Sequence, residues 1–284
     1  MALRKGTEVL AALEETWENE LIPAAVEEMM IADDFRESAI TGKFGDTLNI
    51  SKIPSVAAST LSSSATGLSL TSTDPTLLNV TASPTYAYAA AYIADNVLTD
   101  MLRSASLRNG IRKQLSASLA TKIDVDAGTL AAAVSSVAGG AGEHVTKVTL
   151  LDAITLLAAA SKNKWKPGKV NMRLKIHPTE IKHLLTIADV TAANLRGDSQ
   201  NPNVKGWVWD AYGCNIAETG NIYSAAGINH NMLFLPDAFA IAYNQRPAFM
   251  PDQYEELQFR IITRCSFAVV EVFDEYAVDY QTAA

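Results

Sequence analysis

SPTYAYAAAYIADNVLTDMLRSASLRNGIRKQLSASLATKI, residues 83–123, is the stretch on which the architecture turns. Tyr88, Ala91, Tyr92, Val97, Leu98, Met101, Leu102, Ile111, Leu115 and Leu119 supply an apolar stripe at helical spacing, interrupted at Gly110. Ser83 is placed to cap and Pro84 to open a first turn. The spacing predicts one helix over residues 85–123. At 1.5 Å per residue it would span roughly 55 Å, more than a small domain is wide. It is therefore expected to run across the molecule as a backbone. Asp95 and Asp100 precede Arg103, Arg108, Arg112, Lys113 and Lys122, the order that suits a helix macrodipole.

Upstream, Gly42, Gly45 and Asp46 mark a turn, and Leu48 and Ile50 alternate with polar neighbours as in a strand. Eleven of the nineteen residues from Ser55 to Thr73 are Ser or Thr. Such a composition also suits a flexible linker. Yet Leu61, Leu68 and Leu70 punctuate it, and Leu77, Leu78 and Val80 close it as a second strand. Two strands around a Ser/Thr-rich tip make a long hairpin, which is marginal alone and is expected to lie on something else.

Further upstream, residues 7–37 read as helix broken at Pro23, with Val9, Leu10, Leu13, Trp17, Leu21 and Ile22 on one face. A second piece follows through Val26, Met29, Met30 and Phe35. Residues 1–41 hold ten acids against three bases, a net −7, whereas the rest holds 21 acids against 20 bases. An acidic amphipathic arm at a chain end packs on its own body or on a partner.

Downstream, residues 126–145 are rich in Ala and Gly and read as a mobile loop ending in Gly139, Gly140 and Gly142. A helix is expected over 147–161, then a lysine run at Lys162, Lys164, Lys166 and Lys169. Next come a strand over Val170–Ile176 and a helix opened by Pro178. Strands are expected near Trp207, over Cys214–Glu218 and Leu233–Leu235, and through Leu257–Tyr280. The fold class is α+β, without the regular β-α-β alternation of a barrel or doubly wound sheet.

The chain has 284 residues, 48% apolar and 19% charged, with net charge −8. That is globular composition, and it excludes a strongly basic nucleic-acid binder. Cys214 and Cys265 form no disulfide framework and cannot make a four-cysteine zinc site, so a reducing compartment is expected. The first residues lack the apolar run of a signal peptide, and no stretch approaches the ~18 apolar residues of a membrane helix. A soluble protein made in cytoplasm, with no membrane partner, is expected.

No motif in the chain carries recognisable chemistry. His177-Pro-Thr-Glu180-Ile-Lys-His183 matches neither zinc-binding HExxH nor its inverse. His177 ends a strand and should not share a helix face with His183; the segment reads as a strand-to-helix turn with Glu180 near the positive helix end. The glycines at 139–142 are followed by no Lys-Ser/Thr pair, GxSxG is absent, and the two cysteines sit in apolar contexts. Trp207 and Trp209 read as one strand face, and the lysine run as a solvated turn. No catalytic residue, cofactor or metal is expected. The elongated arm, hairpin and helix instead fit a subunit built to hold its neighbours.

The order of these features resembles the major capsid proteins of tailed bacteriophages, with the Hong Kong ninety-seven-like fold, over nearly the whole chain. TGKFGDTLNISKIP (Thr41–Pro54) resembles the passage from N-arm to E-loop, and Ser83–Leu102 the start of the spine helix. RLKIHPTEIKHLL (Arg173–Leu185) and Asn203–Ile222 resemble A-domain segments, although Ala217-Glu218-Thr219 stands where Ser-Asn is common. Leu257–Val278 resembles the closing P-domain strands. The resemblance implies an N-terminal arm at 1–41, an E-loop hairpin at 42–84, and spine helix with part of the P domain at 85–140. It places the A domain at 141–244 and C-terminal P-domain strands at 245–284. It implies a non-enzymatic protein that self-assembles into pentamers and hexamers of an icosahedral head around double-stranded DNA, without sequence-specific binding. Assembly would occur in the host cytoplasm, with a separate scaffolding protein, a portal and a possible decoration protein; the arm would stay uncleaved. The alternatives are an encapsulin-like nanocompartment shell, a tail or adaptor protein, and a motif-less cytoplasmic enzyme. Intersubunit contacts are expected at Glu14, Glu15 and Glu18 of the arm, at Arg108, Arg112 and Lys113 of the helix, and at Leu61, Leu68 and Leu70 of the hairpin tip.

Overall fold

Helix α1 runs over Ala105–Thr129 in a computed structural model that describes residues 29–39, 47–52, 78–94, 105–161, 172–191, 210–253 and 258–284. Leu115, Leu119, Ile123 and Ala127 recur every four residues and are buried, with Ser116, Ala120 and Asp124 beside them. Near its end the helix approaches a turn so closely that a Cβ on Gly128 would lie 2.8 Å from the Asn221 carbonyl oxygen.

The expected helix over 85–123 is corrected at its start: Thr85–Ala94 is strand β4, and Pro84 precedes a strand instead of a first turn. It pairs antiparallel with β12 (Gln258–Glu271), from Thr85 opposite Phe267 to Ala94 opposite Gln258. Alanine favours helix, but Tyr86, Ala87, Tyr88 and Ala89 alternate with period two. Ala87 is buried and the tyrosines are exposed, so sheet pairing overrides intrinsic propensity here.

β4 and β12 belong to a four-stranded sheet in the order β1 (Arg36–Ala39), β11 (Phe239–Gln253), β12, β4, in which β1 runs parallel to β11. α1 lies against β12 and β4. A seven-stranded sheet is ordered β5 (Val137–Gly139), β13 (Ala277–Ala283), β10 (Ile228–Phe234), β6 (Met172–Ile176), β8 (Cys214–Glu218), β7 (Asp210–Ala211), with β9 (Tyr223–Ala225) also on β10. Helix α2 (Lys147–Ser161) covers β5, β13 and β10 through buried Leu150, Ala153, Ile154 and Leu157. The two sheets share one core. Phe35 before β1, Phe234 ending β10 and Phe239 opening β11 bring their rings within 5.0–5.6 Å of one another.

Three further expectations change. Residues 32–34 form one 3-10 turn and 36–39 a strand, so the described part of the arm's second helix is not helical. The stretch read as a mobile loop is the end of α1, a 3-10 turn at Leu130–Ala133, and β5. Gly139 sits at φ +77°, and a Cβ there would meet the Gln281 carbonyl oxygen at 2.2 Å. The hairpin strands β2 (Leu48–Lys52) and β3 (Leu78–Ala82) pair as expected. Their base, however, rests on the chain's own four-stranded sheet: Ile50 and Ala82 pack on Ala242 and Ala268. The helix over 147–161 and the strands at 172–176 and 214–218 fall where expected.

Candidate functional site

Of the expected contact residues, Arg108, Arg112 and Lys113 lie on α1, and Lys113 is exposed. Lys122, nine residues further along the same charge series, is already paired with Asp126 at 2.6 Å. Glu14, Glu15, Glu18, Leu61, Leu68 and Leu70 lie outside the described residues, as do Trp207 and Trp209. The surface the sequence reading missed is the outer strand β4. Tyr86 and Tyr88 point the same way from alternate positions and are 56% and 77% exposed.

The arm's point of entry is held from α1. The buried Asp124 carboxylate accepts the backbone N–H groups of Met30 (2.8 Å), Ile31 (3.1 Å) and Ala32 (3.0 Å). It also accepts the Asn221 side-chain N–H at 3.4 Å. Two residues on, Asp34 pairs with Lys175 (2.5 Å) and Arg173 (3.4 Å) of β6. The chain thus enters β1 from a fixed point between the sheets.

A second polar cluster lies at the end of the seven-stranded sheet. β5 and β6 run in the same direction, since β6 and β13 both pair antiparallel with β10 and β5 pairs parallel with β13. The segments that follow them therefore leave on the same side and meet. His177 caps the short helix, its Nδ1 accepting from the Thr179 N–H. Glu180, near the start of the helical turn as expected, is fully buried. Its Oε2 accepts the Val145 N–H at 2.9 Å, and Oε1 lies 3.0 Å from His144 Nδ1. The His144 and His183 rings stack with centroids 4.0 Å apart. Donor atoms of His144, Glu180 and His183 all lie within 4.8 Å of one another. Glu180 and His183 are three apart on one helical face; His144, 36 residues before Glu180, has no sequence signal that joins it to them.

A groove of about 290 Å³ beside this cluster is lined by Val145, Thr146, Lys147, Thr186, Ile187 and Asp189. Lys147 pairs with Asp189, which also accepts from the Tyr212 hydroxyl at 3.2 Å. The bond to Lys147 holds the Asp189 carboxyl below its usual range. Cys214 and Cys265 are buried, and burial pushes their thiols up to about 12 and about 11, unsuited to nucleophilic work.

No family model matches the chain, and no curated protein matches it in sequence. Solved structures do. The chain aligns with one of Mycobacterium phage Che8 over 89% of its own length and 90% of the other's, with TM-score 0.67 and 16% identity. The capsid of an empty GTA particle matches over 90% of both chains, with TM-score 0.65 and 11% identity. A virus-like particle from Pyrococcus furiosus matches over 93% of this chain and 97% of that one, with TM-score 0.61 and 13% identity. The chain has the Hong Kong ninety-seven-like fold. In this fold the two sheets, α1 and the β2–β3 hairpin make one α+β body.

Proposed function

We propose that the chain is a major capsid protein, a non-enzymatic subunit that self-assembles into the pentamers and hexamers of an icosahedral shell around double-stranded DNA. The observation that carries the reading is the two-way match of about nine-tenths of the chain to capsid chains. The tyrosine-bearing outer strand and the cationic α1 give it surfaces for neighbours. The four-stranded sheet with α1 is taken as the P domain, β2 and β3 as the base of the E-loop, and residues 1–41 as the N-arm. The seven-stranded sheet with α2 is taken as the A domain. It includes β13, which lies beyond the 141–244 range but pairs with β10 and β5. A scaffolding protein, a portal and a decoration protein would be the partners, with assembly in the host cytoplasm and residence in the virion.

Expression of the chain, alone and with its scaffold, tests this by size exclusion and negative-stain microscopy. Capsomers or closed megadalton shells are expected. A small soluble oligomer that closes no shell under either condition overturns the reading. The alternative reading is a shell around protein cargo; the matched structures include a virus-like particle as well as a phage capsid. The contents of purified particles, nuclease-protected DNA or a co-purifying protein, decide between the two.

A further inference from the structure

We propose that His144, Glu180 and His183 form a binding site for a divalent transition-metal ion of the zinc type, clasping the loop before α2 to the helical turn after β6. Two independent observations point there. Glu180 is fully buried, yet among the described residues its one partner able to carry positive charge is His144, whose side chain is 44% exposed. A buried carboxylate served by a backbone N–H and an imidazole is short of positive charge. On the other side of the cluster, His183 Nε2 is buried with no hydrogen-bond partner among the described residues. One cation between them would answer both deficits.

The donor set suits the ion. Two imidazole nitrogens and a carboxylate oxygen are ligands that zinc, cobalt and copper accept, and three protein ligands leave a position for water. Glu180 and His183 are presented by consecutive turns of one short helical segment. Glu180 is oriented by the Val145 N–H on its other oxygen, the kind of support that fixes a metal-binding carboxylate. His144 is the adjustable member. Its half-exposed ring must rotate out of the stack on His183 to turn all three donors, already within 4.8 Å of one another, onto a common ion. Its backbone is anchored nearby, because the Ala283 N–H donates to the Glu143 carbonyl oxygen at 2.7 Å. His177 takes no part, because its Nδ1 is engaged by Thr179.

The test is titration of the EDTA-treated full chain with cobalt(II), followed by visible absorption and equilibrium dialysis. One cobalt per chain is expected, with the intense visible bands of a low-coordinate site. His144→Ala and His183→Ala should each weaken binding by at least about tenfold, while His177→Ala leaves it unchanged. Zinc should raise the Tm of the parent chain and not that of His144→Ala. His144 is half-exposed, so its variant is expected to fold even if Glu180→Gln does not. Absence of stoichiometric uptake by the parent overturns the proposal. So does uptake that survives both His144→Ala and His183→Ala, or that is lost in His177→Ala alone.

Discussion

The middle of the seven-stranded sheet and the outer edge of the four-stranded sheet differ in how they finish themselves. In the first, polar side chains are buried and turned on one another. Asn231 donates to the Tyr280 carbonyl and to Thr282 Oγ1, both at 2.9 Å, and accepts the His177 N–H at 2.8 Å. Asn229 donates to the Ala283 carbonyl at 2.8 Å, and His230 faces Asp279. These bonds tie β13, β10 and the segment after β6 into one register. On strand β4, by contrast, Tyr86 and Tyr88 are 56% and 77% exposed. One region turns Asn229, Asn231 and His230 on partners within the chain. The other presents amphipathic surface, which the proposed reading assigns to contact between copies.

The sharpest way to break that comparison is to truncate an aromatic in each region. Phe234→Ala empties the ring cluster joining the two sheets and should cost about 3–5 kcal/mol in denaturant unfolding. Tyr88→Ala should leave the free subunit within about 0.5 kcal/mol of the parent while lowering the yield of closed shells. If Tyr88→Ala destabilises the isolated subunit as much as Phe234→Ala does, the edge is part of the core and the contrast is false.

A somewhat smaller effect is expected at the joint between the regions. Asp124→Ala leaves the N–H groups of Met30, Ile31 and Ala32 without their acceptor. A loss of roughly 2–4 kcal/mol follows. Hydrogen exchange should show those three amides exposed first, with the centre of the seven-stranded sheet still protected. Asp124→Asn, which keeps one acceptor oxygen, should lie between parent and Ala.

Much of the fold was legible because period and punctuation agreed with packing. Pro178 after an apolar strand, the helix over 147–161 with Ile154 and Leu157 inward, and the strand over Cys214–Glu218 appear as read, although Val148, read on the same stripe, is exposed and Leu150 is buried. β4 was not legible as a strand. Its inward positions are alanines, which suit either period, and only the partner strand 170 residues later settles the matter. Asp124 was hidden for a related reason: its ligands are backbone amides, which carry no residue signature. The Glu180–His183 spacing was visible, but its third member comes from another crossover of the sheet, and local spacing cannot supply it.

Alkaline pH probes the seven-stranded side and the shared core next. Burial raises the Cys214 thiol from 9.0 to about 12 and that of Cys265 to about 11. Burial likewise lifts the hydroxyls of Tyr243 and Tyr280 to about 12. The unfolded chain releases these protons at lower pH than the folded one. Stability is therefore held below about pH 9 and falls as pH rises toward the folded values. Denaturant midpoints measured from neutral pH upward should decline above about pH 9, and a thiol reagent at about pH 8 should label neither cysteine before unfolding. Rapid labelling of the native chain would show that this core is open to solvent.

The smallest effect belongs to the charges. α1 presents Arg108, Arg112 and Lys113 in a stretch with no acid between Arg103 and Lys122, and the arm carries a net −7. Lys122 is already paired with Asp126. Exposed pairs contribute about 0.2–1 kcal/mol each and weaken as salt screens them. One pair would pass unnoticed in a single subunit, but on the proposed reading the same pairs repeated through a shell would bias how copies meet. Glu14, Glu15 and Glu18 changed together to Lys should lower shell yield most at low ionic strength and leave the unfolding midpoint of the free subunit unmoved. Reversing Arg108 and Arg112 to Glu in the same chain should restore the yield. If the triple variant assembles like the parent at every salt concentration, the arm's acidity serves solubility. The aromatic edge, not the charges, would then carry the contact between copies.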